Sequence, residues 1–286
     1  MFLWAVVQYL IVSFHLYSMK TIIVPTDFSP AADAAIAYAA GLATVTGSTI
    51  LLLNVYQLPV TMNDFPVLMV SVEDLKSTAD TGLSRIKAEA QKRFASISFK
   101  TESRLGDASE EIEMIAKEQE VFCIVTGMQK LSGFENFLLG NDAVSLMKNS
   151  AQPVIAVPEG AIAVAPKNIV LAVDNADLEE VLVQKISLFV NAFKAQLHIV
   201  HIETGDEDPL TSQQSLTELF APLATTYHTI KNSDVSEGVA NYVSQSGADL
   251  LMLLPHKHNL YERLFFKGHT VEIIGEVSLP VVCINA

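Results

Sequence analysis

A fixed order of short apolar runs and amphipathic stretches passes along the chain twice, and this repeat constrains the fold more than any single motif. The first pass opens with TIIVP at residues 21–25, a helical stretch started by Ser29 and Pro30, and the apolar run TILLLNV at 49–55. A mixed loop over 57–70 leads to a longer amphipathic stretch carrying Ala79, Leu83, Ile86, Ala90 and Phe94. Then come a weaker strand at 98–104, a helix capped by Asp107 or Ser109, and the strand VFCIVT at 121–126. A loop over 127–141, a short helix at 143–148 and a Pro-led strand at 153–157 end the pass. Continuous apolar runs suit strands covered on both faces, and residues such as Ala35, Ala39 and Leu42 give a helix one inward stripe. Strand and helix in alternation therefore predict an α/β fold, a parallel sheet with helices on both faces.

Residues 159–166, small and bounded by Pro158 and Pro166, read as a linker, after which the order restarts. NIVLAVD at 168–174 repeats the first strand with its terminal acid, and Leu182, Ile186, Phe189 and Phe193 repeat the first inward stripe. Strands at 196–202, 225–231, 249–254 and 280–284 follow, while 203–222 replaces the long helix of the first pass with something shorter and more polar. The reading is two repeated doubly wound domains, over 19–160 and 166–286. A chain of 286 residues, half of it hydrophobic and 17% charged, can bury two such cores.

Residues 1–18 carry no charged side chain and stand apart from the repeat. They fall short of the ~20 apolar residues that span a bilayer comfortably and lack a basic leader region. A translation start at Met19 is the first expectation for them, and a membrane anchor or uncleaved signal, or an added packing helix, are the others. A formal net charge of −14 argues against a nucleic-acid backbone as partner, because such binding needs clustered Lys and Arg. Cys123 and Cys283 each sit inside an apolar run, which predicts buried free thiols in a reducing compartment.

The loop over 127–141, GMQKLSGFENFLLGN, has phosphate-binding spacing, with Gly127, Lys130 and Gly140 in its frame. The frame recurs over 255–269, PHKHNLYERLFFKGH, with Pro255, His258 and Gly268. Glycines let backbone N–H groups approach phosphate oxygens, and the helix that follows aims its N-terminus at them. Pro255 has no N–H to offer, so the second copy is expected to hold no nucleotide. His256, His258 and His269 suggest a metal, but no Cys or carboxylate has the matching spacing, and none is expected. Lys257, Arg263 and Lys267 make the second loop a candidate surface for an anionic partner. No nucleophile with a base at recognisable spacing appears, so the protein is expected not to be an enzyme.

With MKTIIVPTDFS at 19–29, the 127–141 loop and SAQPVIAVP at 150–158, the chain resembles a tandem universal stress protein, two such domains in one chain. The resemblance implies five-stranded parallel sheets between helices, of the Rossmann-like, adenine nucleotide alpha-hydrolase-like type. ATP-binding members of that family carry G-x2-G-x9-G-[S/T] after the fourth strand. Here Gly127 and Gly140 match, Gly133 falls where many members also have Gly, Lys130 replaces the second glycine, and Asn141 replaces the Ser or Thr. Asp27 matches the position that faces the adenosine, and an Asp before Ser-Pro serves equally as a turn or helix cap. Asp174 repeats it. Asp142 would repel a triphosphate by roughly 1–4 kcal/mol at close range, which a phosphate contact from Lys130 and a hydrogen bond from Asn141 would offset.

The resemblance thus points to Asp27, Gly127, Lys130, Gly140 and Asn141 as a weakened site in the first domain, with ATP as candidate ligand. It implies a cytoplasmic stress-response protein that acts by binding. The closing strands at 153–157 and 280–284 are expected to join the halves as an internal pseudo-dimer, with a homodimer and an unidentified protein partner left open. An ATP-hydrolysing or nucleotidyl-transferring enzyme of the same architecture, and a regulator tethered to a membrane by residues 1–18, are the alternatives.

Overall fold

The strand β1 (Thr21–Pro25) is completely enclosed over Ile22–Val24, and the chain leaves it through a short turn into helix α1 (Pro30–Thr46). The computed structural model describes residues 20–58, 71–130, 137–173, 178–204, 216, 218–221, 223–254, 273–274 and 277–285. Residues 1–18, Gly133, Asp174, most of 203–222 and the 255–269 loop lie outside the described residues. Ser29 caps α1 by accepting from the Ala32 N–H at 3.3 Å, Pro30 occupies the first helical position, and Gly47 ends the helix at φ 69°. The expected stripe of Ala35, Ile36, Ala39, Leu42 and Ala43 is buried.

Strand β2 (Thr49–Tyr56) pairs parallel with β1, and β3 (Phe99–Leu105) pairs parallel with β2 after helix α2 (Val72–Arg93). Helix α3 (Ala108–Glu118) starts at Asp107, whose carboxylate accepts from the N–H groups of Ser109 and Glu110. Strand β4 (Val121–Lys130) runs four residues beyond the expected end at Thr126. Its extension is held by β5 (Phe137–Leu138), paired antiparallel through Gln129↔Leu138 and Lys130↔Phe137. The start of the expected loop is therefore a strand. Helix α4 (Asn141–Asn149) and β6 (Val154–Pro158) close the first half.

The second half repeats the path. Strand β7 (Asn168–Val173) leads to helix α5 (Glu180–Phe193), then β8 (Gln196–Glu203), β9 (Thr225–Lys231), helix α6 (Val235–Ser246), β10 (Leu250–Leu253) and β11 (Val281–Cys283). One sheet runs through both halves in the order β3-β2-β1-β4-β6-β11-β10-β7-β8-β9. Every pair in that order is parallel except β6 with β11, which meet antiparallel with Ile155 opposite Val282. Each closing strand thus covers the edge the other would expose.

The seam is packed as well as hydrogen-bonded. Phe122 of β4 stacks on Phe189 of α5 at 5.8 Å between ring centroids, and Phe193 meets both rings edge-on. Asn285, buried beyond β11, donates through Nδ2 to the carbonyls of Met147 and Ser150 at the end of α4. Lys185 of α5 donates to the Asn285 carbonyl at 2.9 Å. Cys123 and Cys283 are buried free thiols, and burial raises both pKa values, that of Cys283 to about 12.

Candidate functional site

In the first half the chain crosses to opposite sides of β1 on leaving β1 and on leaving β3, so β2 and β4 flank it and a crevice opens beyond the strand ends. Open α/β sheets hold their ligands at such a switch point. A cleft of about 460 Å³ lies there, reached by Thr26 and Asp27 after β1, Asn54 of β2, Gly127 of β4 and Gly140 with Asn141 at the start of α4. Its inner wall is apolar, built from Pro25, Leu53, Val55 and Ile112 among others. A volume of this size, mostly apolar with a few polar groups, is that of a small-molecule site.

The turn after β1 is fixed residue by residue. The Thr26 N–H donates to the Leu53 carbonyl at 2.8 Å, and buried Asn54 donates from Nδ2 to the Thr26 carbonyl at 2.7 Å. Phe28 takes φ 65°, a left-handed conformation costly for a bulky residue, and its N–H donates to Thr26 Oγ1 at 3.0 Å. The Phe28 ring lies so close to α2 that a Cβ on Gly82 would sit 2.6 Å from it. Asp27 is consequently held at the rim, exposed, with Oδ1 accepting the Ser29 N–H at 3.0 Å. It performs the turn role expected of an Asp before Ser-Pro while also lining the cleft.

The two motif glycines have different physical reasons. A Cβ on Gly127 would stand 2.2 Å from the Ala31 carbonyl oxygen, so glycine there permits β4 to touch the first turn of α1. Gly140 has φ −64°, and a Cβ on it would meet nothing within 4 Å among the described residues. Neither the backbone conformation nor the packing of the described residues requires glycine at that position. Gly140 is also the N-cap of α4 and supplies no side-chain hydrogen bond to it, which leaves the first-turn N–H groups facing the cleft without that cap. Asn141 and Asp142 are exposed on the cleft wall. Lys130 ends β4, and its side chain lies outside the description.

Asn54 was not among the residues singled out in the sequence, though a lone amide inside the apolar run TILLLNV was a visible signal. Its counterpart carries the same lesson. His201, sixth in β8 as Asn54 is sixth in β2, places Nδ1 3.3 Å from the Val173 carbonyl. Among the described residues, the pocket beside Val200, Ile202 and Val239 holds about 30 Å³, and every described lining residue is Ala, Val or Ile. Among the described residues, no group of three or more His, Cys, Asp or Glu is placed to hold a metal ion.

Residues 19–158 match the Universal stress protein family. They form a universal stress protein domain. Over nearly the whole chain, a universal stress protein from Archaeoglobus fulgidus superposes with a TM-score of 0.74 at 16% identity, covering 93% of this chain and 98% of that one. A protein of unknown function from Pseudomonas aeruginosa PAO1 gives 0.62 at 16% identity, over 95% and 94% of the two chains. At such identity the likeness is one of fold, an α/β, Rossmann-like arrangement. The sensor protein KdpD of Mycobacterium tuberculosis is 27% identical over 124 residues, which are 41% of this chain. This chain spans 14% of the length of that protein. In the universal stress protein domain, Asp27, Gly127, Gly140 and Asn141 are brought to one cleft. Among the described residues no helix is long and apolar enough to cross a membrane.

Proposed function

We propose that this is a tandem universal stress protein of the cytoplasm, acting in stress response by binding rather than by catalysis. Its first half carries a weakened adenine-nucleotide cleft, its second half carries none, and the two halves form an internal pseudo-dimer through β6 and β11. The observation that carries the reading is the cleft at the switch point, where Asp27 and the uncapped start of α4 at Gly140 face one volume. The shared strand order and the matched Asn54 and His201 contacts support duplication, and the small, wholly apolar pocket formed by the described residues of the second half supports loss of one site. A partial match to a sensor protein is in keeping with a domain whose output is a bound state.

Calorimetric titration of ATP, with and without magnesium, into the full chain stripped of carried-over ligand tests this. The expected result is one weak, saturable site per chain, lost in Gly140→Val, and no ATP hydrolysis over the same range. Absence of binding of both ATP and adenosine by the wild type would refute the cleft reading, and turnover abolished in Asp27→Ala would establish an enzyme instead.

A further inference from the structure

We infer that the cleft prefers an uncharged nucleoside to its triphosphate, and that Asp142 sets this preference. The inference rests on the nucleotide reading above and narrows it to a ligand class. Asp142 is the second residue of α4, exposed and on the cleft wall, in the helical turn where a phosphate would be received. The positive end of a helix acts only over its first turn, and an acidic side chain there already complements it. A phosphate entering the same turn meets a fixed like charge at short range, whereas a neutral nucleoside does not.

The rest of the wall acts in the same direction. Asp27 stands at the opposite rim, so the described lining carries two carboxylates and no Lys, Arg or His. Apolar Pro25, Leu53 and Val55 offer a surface for a planar base. Asn141 and Gln129 bring side-chain amides that hydrogen-bond hydroxyl groups without requiring charge. Among the described residues the space at Gly140 is open, which gives a sugar room against the helix start. Each of these features accepts a nucleoside, and the two acids select against its phosphates.

Titration of the full chain with adenosine and with ATP, at low and at high salt, decides the matter, because a ratio of affinities in the intact protein includes whatever Lys130 contributes. At low salt adenosine is expected to bind about tenfold more tightly than ATP, the gap narrowing as salt screens the exposed acids. Asp142→Asn is expected to strengthen ATP binding about tenfold and to leave adenosine within about twofold of wild type. Asp142→Ser, which restores a small polar group of different shape, must shift the ratio in the same sense. Wild-type protein that binds ATP more tightly than adenosine would overturn the inference, as would an unchanged ratio in both variants. Either result, with adenosine still bound, leaves the cleft assignment standing; binding of neither ligand to any of the three proteins removes both.

Discussion

Gly127 and Gly140 look alike in the sequence and differ in what they do. Gly127 lies against the Ala31 backbone, with a Cβ placed 2.2 Å from its carbonyl oxygen, so a methyl group must push α1 away from β4. Backbone cannot yield as a flexible side chain does, and Gly127→Ala is expected to cost about 3 kcal/mol of stability, at the upper end of overpacking penalties. Gly140→Ala meets open space among the described residues at an ordinary φ and is expected to cost no more than about 1 kcal/mol, the loss of a glycine from an N-cap. It should nevertheless weaken ligand binding, because the added methyl projects into the cleft. Urea unfolding of the two variants measures the contrast, and equal destabilisation would show that the open space at Gly140 is absent in solution. Spacing alone marks both residues as loop glycines; only the approach of α1 separates the packing glycine from the one left open.

Helix α4 is the element that joins the cleft to the seam. Its start lines the cleft, and its end is held by Asn285, which donates to the carbonyls of Met147 and Ser150. Asn285→Ala leaves these buried acceptors without that donor, a loss of about 1–3 kcal/mol. Hydrogen exchange should then accelerate first in α4, with β1 and β2 following only at higher denaturant; uniform acceleration across the first half would show that Asn285 serves the whole seam instead. Most elements of this kind were legible in advance: the Ser29-Pro30 start, the Gly47 stop and the enclosed apolar strands each have a local cause written in adjacent residues. The extension of β4 to Lys130 was not, because its support is the Gln129↔Leu138 pairing across a polar stretch with no strand pattern of its own. The left-handed Phe28 and the Asn54 brace were hidden for the same reason, since each is decided by a partner distant in sequence. Of the residues that line the cleft, Gly127, Gly140 and Asn141 were singled out by the loop motif and Asp27 by its place after the first strand, while the conformation that brings them together was not legible.

For the molecule as a whole, the question is whether two repeated halves behave as two units or one. The sheet is continuous across β6 and β11, and the apolar cluster on one of its faces draws on both halves, from Ile22 and Leu52 to Ile169 and Leu197. Phe189 is 2% exposed and stacks with an interplanar angle of 5° on Phe122, so one side chain of the second half completes the core under β4 of the first. Truncation to Phe189→Ala removes that ring and leaves a cavity between the halves, at a cost of about 3–5 kcal/mol. If the halves share one core, denaturant unfolding remains a single transition moved to lower concentration, and amide exchange in β1 and β7 accelerates together. Protection that falls in β7 while β1 keeps its wild-type value would mean that the first half is stable without its neighbour. In that case the seam is a contact between two finished domains, and the antiparallel β6–β11 pairing contributes orientation more than stability. The continuous sheet and the Phe122–Phe189–Phe193 cluster favour the shared core, because neither half retains its buried surface when the other is withdrawn.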